Sequence, residues 1–160
     1  MKKQQLHQQI MEALQVDLQA AIAAAQTAHE TATHEENSAE NKYDTRGLEA
    51  AYLAAGHSRR VNDVQAALLA YRNLVLRPYY PDHGIQLSAC IRVADSQGKQ
   101  RAFFLGPAAA GLKIQTQTDE IMVITPKAPL GRAMVGKAEG DEIEINVDGS
   151  KQLFKIIHVD

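Results

Sequence analysis

Apolar residues in the first half of the chain recur at spacings of three and four. Leu6, Ile10, Leu14, Leu18, Ala21, Ala25, Ala28 and Ala32 form one stripe. Val61, Val64, Leu68, Tyr71 and Val75 form another, preceded less regularly by Leu48 and Tyr52. This periodicity predicts helices with one apolar face each. Between them, residues 33–44 read Thr-His-Glu-Glu-Asn-Ser-Ala-Glu-Asn-Lys-Tyr-Asp, too polar to continue either stripe. Two long helices around a short break bury their stripes on each other, as an antiparallel hairpin. An arm of about 30 residues would be about 45 Å long. The alanines near the break allow close approach and predict a thin tip. Gly56 and the irregular spacing over 52–61 predict a local phase shift in the second arm.

Beyond residue 84 the period changes to two. Ile85, Leu87, Ala89, Ile91 and Val93 alternate with other residues, predicting a half-buried strand that stops at Asp95-Ser-Gln-Gly98. Ala102–Leu105, Glu120–Thr125, Glu142–Val147 and Leu153–Val159 read as further strands, the last two joined by Asp148-Gly149, a hairpin signal. Leu130–Val135 reads as one or two helical turns, started after Pro129 and stopped by Gly136. All five Pro follow Arg77, and only Gly47 and Gly56 precede it. Because Pro and Gly interrupt regular structure, this asymmetry places a boundary in residues 77–84. The expected fold class is α+β. A coiled-coil hairpin (1–77, with an acidic tip near 34–44) precedes an antiparallel sheet domain with a short helix (78–160).

Composition narrows the function. The chain has 160 residues, with 17 Lys and Arg against 19 Asp and Glu, a net charge of −2. That balance excludes a general polyanion binder, which needs a basic excess or a basic face. The single cysteine, Cys90, has no internal disulfide partner and fits a reducing compartment. No apolar run approaches the roughly 20 residues of a membrane span, and the polar start lacks a secretion signal. A soluble, cytoplasmic protein is expected.

Little in the chain carries chemistry by itself. The polar break holds Glu30, Glu35, Glu36, Glu40 and Asp44 against Lys42. It is either a solvated turn or a set of carboxylates displayed away from the core. In the second case they would complete a divalent-cation site in another macromolecule, since Mg²⁺ takes one or two protein carboxylates and keeps several waters. His29 and His34 are five apart, where helical metal pairs want three or four. No second cysteine supports a zinc site, no Gly-rich loop follows a strand in phosphate-binding order, and no serine sits in a nucleophile elbow. Cys90 reads as a small sheet residue. No self-contained active site is present.

The segment Ile124-Thr-Pro-Lys-Ala-Pro-Leu-Gly-Arg-Ala-Met-Val-Gly-Lys-Ala-Glu-Gly-Asp141 resembles the C-terminal signature of the bacterial Gre transcript-cleavage factors, GreA and GreB. Pro129, Leu130, Arg132, Ala133, Gly136, Lys137, Gly140 and Asp141 match it, with Ala128 where Ser is common. The layout of the whole chain is similar too. The resemblance implies an FKBP-like sheet domain that docks at the rim of the RNA polymerase secondary channel, with Pro129, Leu130, Arg132 and Lys137 as docking candidates. It also implies a hairpin that enters the channel. There the tip acids help the polymerase hold a second Mg²⁺ for transcript cleavage in backtracked complexes, a two-metal scheme. Glu36, Asn37, Glu40 and Asp44 are the tip candidates, with Glu36 and Glu40 sharing the Mg²⁺. Arg46, Arg59 and Arg60, with Arg72 on the same arm, read either as solubilising charge or as transcript and channel contacts made through phosphates. The implied protein is an accessory factor rather than an enzyme. It has no cofactor of its own, no small-molecule substrate and no membrane contact, and it meets nascent RNA only indirectly.

The tip departs from the family pattern. That pattern places two acids three apart in roughly Gly-Asp-Leu-Ser-Glu-Asn-Ala-Glu-Tyr. Aligned on Glu-Asn, Glu40 takes the Glu position and Asn37 falls where Asp belongs. Aligned on His34 and Tyr43, Glu36 takes the Asp position and Ala39 the Glu position. Neither alignment restores the pair. An Asn oxygen ligates Mg²⁺ without contributing charge, so weaker second-metal binding is expected. Two readings therefore stand beside each other: a factor that stimulates cleavage, and a channel occupant that regulates or inhibits polymerase without efficient cleavage. An FKBP-type isomerase or chaperone is disfavoured, because Phe103, Phe104 and Phe154 are few and the first two should face opposite sides of the sheet. A helical adaptor for an unrelated partner is the remaining alternative.

Overall fold

The structure, a computed structural model, describes residues 2–38 and 45–160, with the backbone alone at 35–38 and 45–47. Two helices come first, α1 (Lys3–Ser38) and α2 (Thr45–Arg72). The chain divides into two compact units, Met11–Leu69 and Met1–Ile10 with Ala70–Asp160.

In the first unit α1 and α2 pack antiparallel. Ala28 and Ala32 of α1 meet Ala50 and Ala54 of α2 in one small cluster. The α1 stripe is the expected one, each member buried or half-buried. On α2 the expectation fails at both ends, since Val75 lies beyond the helix and is 64% exposed. Leu48 and Tyr52 point outward, and Ala50 and Ala54 are buried in their place. Nor is there a phase shift at Gly56, since α2 is helical throughout. Ala50, Ala54, His57, Val61, Val64, Leu68 and Tyr71 run at alternating steps of four and three, each buried or half-buried. The seam is regular, and small residues plus one His occupy its tip end. A Cβ at Gly56 would meet only the Arg59 guanidinium, at 3.9 Å. Gly56→Ala should therefore stabilise the protein by about 1 kcal/mol through helix propensity, read as a higher urea midpoint. A lower midpoint would show that Gly56 is required.

The second unit is built on one six-stranded sheet in the order β3-β4-β2-β1-β6-β5. Its strands are β1 (Cys90–Asp95), β2 (Gln100–Leu105), β3 (Lys113–Gln115), β4 (Glu120–Ile124), β5 (Glu142–Val147) and β6 (Ser150–Val159), with α3 (Pro129–Met134) between β4 and β5. The sheet is mixed rather than antiparallel throughout, because β2 and β4 pair in parallel, Ala102 beside Ile121 and Leu105 beside Ile124. The β5–β6 hairpin closes as expected. Val147 pairs with Ser150, and Asp148 and Gly149 take φ of 51° and 80°, the left-handed pair that a tight two-residue turn needs. The strand expected from Ile85 begins instead at Cys90, since Ser88 has φ of 79° and breaks the extended run. Leu87 is consequently 38% exposed. Ile85, although fully buried, bonds across to Gly136 and Lys137 rather than into the sheet.

Both faces of the sheet are covered in part. On one, Ile91, Val93, Phe103, Leu105, Phe154 and Ile156 form a core with Met134 of α3. On the other, the Phe104 ring stacks on Tyr71 with centroids 6.4 Å apart. Phe103 and Phe104 thus face opposite ways, as their adjacency on a strand requires. Tyr71 comes from the last turn of α2 and is fully buried. Its hydroxyl donates to the Ala108 carbonyl at 2.8 Å, and burial raises the phenol pKa well above its ordinary value. A ring nitrogen of His7 lies 2.7 Å from the Tyr71 carbonyl, which at the end of α2 also accepts from Leu74 N at 3.3 Å.

Candidate functional site

The signature segment folds as a turn, a short helix and a second turn, and each glycine has a local reason. β4 ends at Ile124, and the buried Thr125 turns the chain so that its carbonyl accepts from Ala128 N at 3.2 Å. Ala128 is the N-cap of α3 and has no side chain to offer the free amides, while Pro129 starts the helix. Gly131 passes so close to Thr125 that a Cβ there would lie 2.0 Å from its carbonyl oxygen. Gly136, at φ of 80°, ends the helix. Its amide donates to Ile85 O at 2.9 Å, and Lys137 O accepts from Ile85 N at 2.8 Å. Gly140, at φ of 90°, forms the second turn, which the Asp141 carboxylate closes by accepting from Ala138 N at 2.9 Å. Ala128→Ser should supply the missing cap and stabilise the protein by about 1 kcal/mol. Thermal unfolding checks this, and an unchanged midpoint would show that the cap geometry is wrong for it.

The four docking candidates separate by environment. Leu130 packs against the core and is a fold residue. Arg132 is exposed but engaged, donating from Nη2 to the Lys127 carbonyl at 2.9 Å, so it braces the turn before α3. Pro129 and Lys137 are exposed. Val135, which no sequence motif marks, is 46% exposed at the end of α3. Its signal was available, since an apolar residue just before the stopping glycine of so short a helix has little core to reach. Val135 and Lys137 give the C-terminal end of α3 a small apolar and cationic surface, and Pro129 is exposed at its start.

Behind it, Glu139 ties the second turn to the sheet. Its carboxylate accepts from Val159 N at 2.8 Å and lies 3.1 Å from His158 Nδ1, and its amide donates to the Tyr79 hydroxyl at 3.0 Å.

Of the tip candidates, Glu40 and Asp44 lie outside the described residues. Glu36 and Asn37 fall on the last turn of α1, and Arg46 on the first turn of α2, as backbone alone. Arg59, Arg60 and Arg72 are exposed on α2.

Among the described residues no group of three metal-ligating side chains comes together, and no helix is long and apolar enough to cross a membrane. A cleft of about 650 Å³ in the sheet unit is lined by Lys3, Arg77, Cys90, Arg92, Asp119 and Asp160 among others. Its polar groups largely hold one another. Lys3 Nζ donates to the Arg77 carbonyl at 2.6 Å, and the hydrogen bond from Arg92 keeps the Asp119 carboxyl below its ordinary range. Burial pushes the Cys90 thiol up to about 11, which leaves it protonated and a poor nucleophile at neutral pH.

Comparison with known proteins places this arrangement. Residues 81–160 match the family described as "Transcription elongation factor, GreA/GreB, C-term". The chain is similar to transcription elongation factor GreA of Cereibacter sphaeroides, 26% identical over 102 residues, which are 62% of this chain and 62% of that protein. GreA proteins of two further strains match at the same identity over 60% of their length. The chain thus spans less than two thirds of the GreA relatives it matches. Among solved structures it is similar to GreA factor homolog 1 of Thermus thermophilus, at 20% identity over 94% of both chains with a TM-score of 0.39. It is also similar to a GreA/GreB elongation factor of Nitrosomonas europaea, at 25% identity over 62% of this chain and 78% of that one, with a TM-score of 0.38. With the family match covering the whole second half, from the turn before the sheet to the last strand, the chain belongs to the GreA/GreB family of transcription elongation factors.

Proposed function

We propose that the protein binds RNA polymerase through its secondary channel and modulates backtracked complexes. The family match over residues 81–160 carries the proposal. In this reading the sheet unit docks through the exposed end of α3, and the hairpin reaches the active site. Pro129, Val135 and Lys137 are the contact residues, with Leu130 and Arg132 holding the surface they stand on. The active site belongs to the polymerase, and the tip would lend Glu36 and Glu40 to a Mg²⁺ that the polymerase holds.

The tip sequence favours occupancy with weak cleavage over strong stimulation. Asn37 takes the place of a carboxylate in the alignment that keeps Glu40, so the shared ion would have less charge to hold it. Docking is tested by competing full-length wild type and Lys137→Glu for core polymerase. The charge reversal should weaken binding at least fivefold without altering the unfolding midpoint, since the side chain is exposed. Equal binding would remove α3 from the interface.

A further inference from the structure

The buried seam of α2 has a counterpart on the opposite face. Leu48, Tyr52, Ala55, Arg59, Asn62, Ala66 and Leu69 repeat the alternating steps of four and three, each two residues before a seam position. All seven are exposed, and the three large apolar members stand 55% (Leu48), 70% (Tyr52) and 58% (Leu69) in solvent.

A helix that packs only on one neighbour needs one stripe. Two opposed stripes of the same period, sustained over three heptads, are the pattern of a middle helix with a partner on each side. The composition of the outer stripe specifies that partner. Ala55 and Ala66 allow close approach, and the polar pair Arg59 and Asn62 at its centre would fix register, as a polar seam residue does in a coiled coil. Arg59 has no ion-pair partner among the described residues, and Arg60 beside it leaves the patch net positive even with Asp63 one turn on.

We propose that the outer face of α2 docks an amphipathic helix of a partner protein, apolar along its own stripe and carrying Asp or Glu where it crosses Arg59. The partner's identity as polymerase rests on the proposed function; the chemistry of the docking helix does not. A second copy fits less well. Antiparallel pairing of two α2 faces sets Leu48 against Leu69 and Tyr52 against Ala66, but it brings the two Arg59 side chains together at the centre.

Binding of full-length protein to core polymerase tests this. Leu48→Gln/Tyr52→Gln/Leu69→Gln should bind at least tenfold more weakly, with helicity and unfolding midpoint close to wild type because these side chains face solvent and Gln is a good helix former. Arg59→Glu should bind at least fivefold more weakly, and Arg59→Lys close to wild type. If wild type binds and the triple and Arg59→Glu variants bind equally well, the outer face is not a docking surface and the polymerase reading survives. If wild type does not bind polymerase, that reading fails and takes the partner with it. A stable wild-type dimer in sedimentation equilibrium, abolished by the triple variant, would assign the face to a second copy and overturn the proposal.

Discussion

Asn37→Asp should raise transcript cleavage in a backtracked polymerase at least tenfold over wild type. Residues 37 and 40 would then present two carboxylates at the spacing of the family tip, and a shared Mg²⁺ would gain a full negative charge among its ligands. Tenfold corresponds to about 1.4 kcal/mol in the barrier, modest for one added ligand charge. Glu40→Ala, alone or on top of Asn37→Asp, should return cleavage to the background of polymerase alone. Binding should barely change in any of these variants, because the proposed docking residues lie outside 37–40. Single-turnover cleavage at matched occupancy is the measurement. Identical rates for wild type, Asn37→Asp and Glu40→Ala would show that these positions do not meet the metal.

A large stability effect should come from Gly106→Ala. A Cβ there would lie 2.1 Å from the Tyr71 hydroxyl oxygen and 3.2 Å from a Val123 methyl. The Tyr71 ring has nowhere to retreat, being fully buried, stacked on Phe104 and bonded to the Ala108 carbonyl. Overpacking a rigid site and losing a buried hydrogen bond together should cost about 3 kcal/mol. Tyr71→Phe alone should cost about 1 kcal/mol, mainly for the carbonyl left without its donor. The two changes should not add. Phe removes the atom that the new methyl strikes, so the double variant should be more stable than Gly106→Ala alone. Urea unfolding of the four proteins decides this, and strict additivity would show that the hydroxyl is not what excludes the methyl.

How much of this was legible in the sequence depended on contrast between residues. The α1 stripe begins with Leu6, Ile10 and Leu14 against polar neighbours, and it was read correctly to Ala32. On α2 the pattern favours the larger Leu48 and Tyr52 for the seam over Ala50 and Ala54, which are the buried ones. Hydrophobic periodicity weighs size, whereas a close-packed seam selects for smallness. The same preference for large residues hid the outer stripe and produced the phase shift expected at Gly56.

In the sheet, turn chemistry was informative. Asp148-Gly149 and Gly136 act as read, and α3 begins at Pro129. Strand pairing was not legible, since nothing local marks β2 and β4 as parallel neighbours, and β3 is three residues long. The alternation from Ile85 to Val93 reads as one strand because nothing in the sequence marks the positive φ of Ser88. The signature segment was recognised in full, yet the sequence could not divide it into residues that build the surface and residues that form it. That division came from the carbonyl Arg132 braces, the core Leu130 fills and the solvent that Val135 and Lys137 meet.

The assignment to the polymerase channel is tested most directly by cleavage stimulated by authentic GreA. A backtracked elongation complex is given a fixed GreA concentration, and this protein is titrated against it while the length of the nascent transcript is followed. Two factors that share one channel and one docking rim exclude each other. GreA-stimulated cleavage should therefore fall progressively to the level that this protein gives in the absence of GreA. Wild-type protein should compete at least fivefold more effectively than Lys137→Glu. Cleavage that stays at the level of GreA alone, at concentrations of this protein far above those of GreA and polymerase, would contradict binding in the channel.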